Sequence, residues 1–191
     1  LNIESGRVDF ELIKKIEKYT KIYTKRDQIV LLNLKKNQVL FYLQEFEQTS
    51  ENLKEILKKL SKESPFYNDF IDGFATLMLF NGKDDELSKF SSAIYHIKQN
   101  NFSDAISVLL ELNKSTENII ANLSIYYLSY IYIKSNNYSL AEETMLRASG
   151  DDIYLQLVKL LAAEMDDYMN KNINSAIDKY LDFLDNHDRI D

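Results

Sequence analysis

The chain predicts an all-α fold: a solenoid of stacked antiparallel helix pairs with additional N-terminal helices. Three observations carry this. Apolar residues recur at three- and four-residue spacing along most of the 191 residues, which places them on single helix faces. Only one Pro (Pro65) and four Gly (Gly6, Gly73, Gly82, Gly150) interrupt them, whereas a chain of hairpins or βαβ crossovers needs many more turn-formers. Finally, the motif at residues 89–105 recurs 36 residues further along the chain, at 125–141.

From the N-terminus, the apolar positions Leu12, Ile16, Tyr19 and Tyr23 alternate with Lys14, Lys15, Lys18, Lys21, Lys25 and Arg26. That is the pattern of an amphipathic helix, either capping a stack or reaching toward an acidic surface. Residues 27–48 fit two strands about Lys35-Lys36-Asn37-Gln38 as well as a helix. Helix is preferred, because a lone hairpin in a helical stack leaves its edges unpaired. Thr49-Ser50-Glu51 predicts the start of a helix ending near Lys62, with Leu53, Ile56, Leu57 and Leu60 on one face. Ser64-Pro65 predicts the next, running to Phe80 and stopped by Asn81-Gly82, with Gly73 and Ala75 allowing close packing.

The repeat occupies 84–191, so the chain divides into an N-terminal helical region, 1–83, and three helical hairpins. Residues 89–105 align with 125–141: Ile97-Lys98 with Ile133-Lys134, Asn100-Asn101 with Asn136-Asn137, Phe102 with Tyr138, Ser103 with Ser139, and Ala105 with Ala141. A looser third copy has Asn172 to Ala176 at its turn. The Asn pair suits the left-handed residue that ends a helix. Ser139 with Glu142 predicts a capping box, and Tyr138 stands where a hydrophobic staple belongs. Ala105, Ala141 and Ala176 are small enough for two antiparallel helices to approach closely.

On these residues the unit resembles the tetratricopeptide repeat. Ser129 and Ala93 stand where that family has Gly or Ala, Phe102 and Tyr138 supply its aromatic, and Ala148 fills its late small site. The resemblance covers about 84–187. Lys89 replaces the bulky opening residue of the first copy, the third copy has about two extra residues before its turn, and the closing Pro is missing. The resemblance implies a non-enzymatic interaction scaffold, in which the first helix of each unit lines a concave groove that takes a partner peptide or helix. Residue by residue, the groove positions are Leu87, Phe90, Ile94 and Ile97, then Leu123, Tyr126, Tyr130 and Ile133, then Gln156, Lys159, Ala163 and Asp166. The binding residues expected from it are Phe90, Ile94, Ile97, Tyr126, Tyr130 and Ile133. Apolar side chains there suit an amphipathic helix better than a C-terminal carboxylate.

Other chemistry finds little to stand on. Cys is absent, and His96 and His187 have no second nitrogen or sulfur ligand at metal spacing, so neither a metal nor another cofactor is expected. The acidic runs Asp84-Asp85-Glu86, Asp151-Asp152 and Glu164-Asp166-Asp167 lack the spacing of a calcium loop, and two of the three fall where helices begin. No phosphate loop or nucleophile elbow occurs, so no catalytic residue and no small-molecule substrate are expected. Four Asn-x-Ser sequons, at Asn101, Asn113, Asn122 and Asn137, carry little weight in so Asn-rich a chain. The net charge of −7 argues against a nucleic-acid partner. It is uneven: residues 1–62 hold 13 Lys and Arg against 9 Asp and Glu, and the remainder 10 against 21. Hence the alternative reading of a self-associating structural protein, a homodimer or larger oligomer, in which the basic arm of one copy meets the acidic body of another. The chain opens on Leu1, which leaves room for a signal peptide or membrane anchor ahead of it. Localisation, cytoplasmic or periplasmic, stays open, and a role in a bacterial envelope or secretion-associated assembly is one expectation.

Overall fold

The computed structural model describes the backbone of residues 8–187 and the side chains of residues 8–185. Among these residues it is all-helical, without strands. The order is α1 (Phe10–Ile22), α2 (Arg26–Tyr42), α3 (Phe46–Leu57), α4 (Tyr67–Leu79), α5 (Asp84–Lys98), α6 (Phe102–Leu112), α7 (Asn118–Lys134), α8 (Tyr138–Met145), α9 (Ile153–Met165), a π-helical turn (Asp166–Asn170) and α10 (Ile173–His187). Contacts cluster into two compact units, Leu1–Gln99 and Asn100–Asp191. That boundary falls inside the first copy of the sequence repeat.

In the N-terminal unit, α1 packs on α2, α2 on α3 and α5, and α3 on α4. Asp9 starts α1 by accepting a hydrogen bond from the Leu12 amide (3.0 Å). Ile13 and Ile16 then meet Val39 and Leu40 of α2, with Leu12, Leu32 and Leu43 around them. The helical alternative for 27–48 is the observed one. Gln44, at φ 63°, closes α2, with the Glu45 amide reaching back to the Leu40 carbonyl (3.0 Å). A second centre is aromatic. Phe90 of α5 stacks on Phe80 at 5.3 Å and meets the edge of Phe41 at 6.4 Å, and the Ser91 hydroxyl donates to the Phe41 carbonyl (2.6 Å).

In this unit two helix starts differ from expectation. α3 begins at Phe46, and Thr49, expected outside it, is buried within it with its hydroxyl bonded back to the Glu45 carbonyl. Burial of Phe46 beside Phe41 outweighs the capping preference of Thr and Ser. α4 begins at Tyr67, because Ser61 to Phe66 form turns. Gly73 does face α3: a Cβ there would lie 3.5 Å from Leu53. Ala75 instead points outward.

In the C-terminal unit, α7 packs against α6, α8 and α9, and α9 against α8 and α10. Ala105, Ala141 and Ala176 are all buried on helices. Asn136 takes the left-handed conformation (φ 57°); the Asn137 amide bonds to the Tyr132 carbonyl (2.8 Å) and the Asn136 amide to that of Ile133 (3.0 Å), a complete Schellman ending. Asn100 (φ 55°) takes the same conformation at the corresponding place. The capping box is not formed. α8 starts at Tyr138, so Ser139 lies one residue inside the helix and exposed, and Tyr138 closes the turn through its hydroxyl, which donates to Asn136 Oδ1 (2.9 Å). In the third copy Lys171 is the left-handed residue and Asn172 accepts from the Ser175 amide. The extra residues before that turn are taken up by the π-helical turn.

Candidate functional site

α7 is apolar almost all round, as befits a helix with three neighbours. Ile120, Leu123, Ile125, Leu128 and Ile131 are buried. Left at its margin, on one stripe, are Tyr126, Tyr130 and Ile133, each half-buried. Tyr126 and Ile133 rest on the cluster formed by Ile125, Ala141, Met145, Val158 and Met165. Tyr126 also meets the ring of Tyr127 edge-on at 5.3 Å, and the Lys134 ammonium stands 5.6 Å from the centre of the Tyr130 ring.

Carboxylates complete this face. Burial, followed by Glu164 and then Tyr130, pushes the Tyr126 hydroxyl above its ordinary value. Burial also raises Tyr180 of α10, with Asp167, Glu164 and Tyr168 adding to it. Glu164 thus acts on phenols of both α7 and α10. The stripe on α7 offers half-buried aromatic and aliphatic side chains with phenol hydroxyls, and exposed Glu164 adds negative charge.

Of the other expected site residues, Phe90 is only 4% exposed and belongs to the aromatic centre of the N-terminal unit, while Ile94 and Ile97 are half-buried along the same stripe of α5. Leu87 and Leu123 are core residues. In the third copy Gln156, Ala163 and Asp166 are buried, because α9 lies between α7 and α10 and is covered on both sides. Lys159 pairs with Asp182 at 2.7 Å. His96 lies beside Tyr95, at 6.2 Å between rings, and His187 ends α10.

The acidic runs find local uses. Asp84, Asp85 and Glu86 occupy the first turn of α5, and Asp152 caps α9 by accepting from the Tyr154 and Leu155 amides. Among the described residues no group of three or more His, Cys, Asp or Glu is placed to hold a metal ion. No helix there is long and apolar enough to cross a membrane.

Sequence reasoning missed two polar centres. Asp166, 4% exposed, accepts from Lys179 (2.7 Å), Ser175 (2.5 Å) and Asn170 (2.8 Å), tying α10 to the π-helical turn. Asn122, set aside as a sequon, is buried; it donates to the Ser149 carbonyl (2.8 Å) and to Asp152 (2.7 Å), and accepts from the Ser149 amide (3.2 Å). A polar residue amid the apolar run of α7 was the signal for it. Comparison with protein-family models, with curated proteins and with solved structures gives no significant match.

Proposed function

We propose that the chain is a tetratricopeptide-like stack of antiparallel helix pairs that works as a non-enzymatic scaffold, holding an amphipathic helix of a partner protein. The observation that carries this is the stripe of Tyr126, Tyr130 and Ile133 on α7, half-buried beside Glu164. Tyr anchors bring large rigid area with a hydrogen-bonding end, the chemistry that dominates protein recognition. Glu164 and Asp167 select a partner helix whose apolar anchors are flanked by Lys or Arg, since unlike charges steer encounter and like charges reject wrong partners. The helical-hairpin periodicity and the buried alanines support the scaffold reading.

Affinity capture from native lysate tests it, comparing wild type with Tyr126→Ala/Tyr130→Ala. Losing two such anchors is expected to cost about 2–4 kcal/mol of binding, which removes captured protein at micromolar bait. Equal retention of the same protein by both baits would sink the proposal. Glu164→Lys is expected to shorten retention, with less effect as salt rises.

A further inference from the structure

Two exposed surfaces, one in each unit, are both apolar and carry opposite charge. On α10, Ile173, Ile177, Leu181 and Leu184 are 63, 49, 54 and 57% exposed. At 100° per residue they fall within an arc of about 80°, with buried Ala176 about 60° beyond its Ile173 edge. Asp178 and Asp185, both exposed, border one side of that arc. α10 therefore carries a second apolar face, edged with carboxylates.

The other surface is an open groove of about 710 Å³ between α1 and α2, lined by Lys15, Tyr19, Tyr23, Leu31, Leu32 and Lys35. Tyr19, Tyr23 and Leu31 are exposed there, with the two tyrosine rings 6.2 Å apart. Lys15 is exposed, and Lys35 is half-buried with its ammonium 3.1 Å from Gln38. The groove thus has an aromatic and aliphatic floor, with lysines on α1 and α2.

We propose that the chain associates head to tail with a second copy of itself, α10 of one copy lying in the α1–α2 groove of the next. The aliphatic stripe covers Tyr19, Tyr23 and Leu31, and Asp178 and Asp185 face Lys15 and Lys35, a helix-in-groove contact. Charge decides the pairing. Two α10 helices would bring carboxylates together and two grooves would bring lysines together, whereas stripe on groove opposes unlike charges. Such an interface joins different patches of the two copies, so it propagates into chains or closes into rings rather than stopping at a two-fold dimer. It uses neither Tyr126 nor Tyr130 and stands independently of the partner-helix reading.

Light scattering and sedimentation of the full chain test it. Mass is expected to rise with protein concentration. Association should weaken by about tenfold or more between about 0.01 M and about 1 M salt, as the Debye length shortens from about 30 Å to about 3 Å. Ile177→Glu/Leu181→Glu and Tyr19→Glu/Leu31→Glu change only exposed side chains; each alone is expected to be monomeric, and their mixture to give a heterodimer that grows no further. A second pair, Asp178→Lys/Asp185→Lys and Lys15→Glu/Lys35→Glu, should each lose association and regain it on mixing. Wild type that stays monomeric at every concentration, as it would with α10 seated in its own groove, overturns the proposal. So does an oligomer that these variants leave intact, or a failure of both mixtures to restore association.

Discussion

Asp166 is a carboxylate withdrawn from water and compensated from three sides. Burial alone would push it up, but hydrogen bonds from Lys179, Ser175 and Asn170, together with the Lys179 charge, outweigh that and bring it down to about 2 from an ordinary 3.8. Because the folded value is the lower one, the stabilisation is complete above the unfolded value and is lost as pH falls from about 4 through about 2. A shift of this size has a ceiling of about 2.5 kcal/mol. Lys179 is 39% exposed, so screening reduces it to about 1–2 kcal/mol. Asp166→Asn should flatten the acid limb of the stability curve by that amount, measured by urea unfolding between pH 4 and pH 2. Parallel decline of variant and wild type would show that the carboxylate contributes nothing ionic. Ser129 is a quieter case: its hydroxyl is buried in α7 without a hydrogen-bond partner.

At the scale of the element, helix endings rather than helix starts set the turns. Asn100, Asn136, Lys171 and Gln44 all take positive φ at or just past a helix end, and only two of the four stand in the Asn-Asn pairs that announce themselves in the sequence. An Asn tolerates that conformation because its short polar side chain bonds locally; an alanine has no such recourse. Asn136→Ala is therefore expected to cost about 1–2 kcal/mol, whereas Asn136→Gly, relieved of Cβ crowding, should be close to neutral. Thermal unfolding of the two variants separates them, and equal melting temperatures would contradict the conformational account. Two of the misplaced starts share one reason. At α3 and α8 an aromatic residue, Phe46 or Tyr138, is drawn in at the first helical position, and the Ser or Thr expected as cap is left inside the helix.

Across the whole molecule, three alanines one repeat apart are buried at helix contacts: Ala105, Ala141 and Ala176. If the repeat is structural, they answer alike to enlargement. Ala→Leu at each is expected to cost about 1–3 kcal/mol through overpacking, read from urea midpoints. A substitution absorbed without cost at any one of them would remove that copy from the array. The same scale governs charge. A basic N-terminal stretch and an acidic remainder make self-repulsion uneven, and it is on this unevenness that the proposed head-to-tail contact depends.

The sequence by itself determined that the chain is helical, because periodicity and the scarcity of Gly and Pro are local properties that no packing partner needs to supply. It also located the Asn turns and the buried alanines, whose requirements concern one residue's backbone angles or volume. Only the tertiary structure decided which apolar positions are spent on the core. Phe90, Tyr126 and the α10 leucines have the same helical spacing, yet Phe90 is enclosed by Phe41 and Phe80, Tyr126 is left at a margin, and Leu181 and Leu184 face outward. Periodicity fixes a face relative to its own helix axis, while burial depends on how many neighbours arrive from elsewhere in the chain.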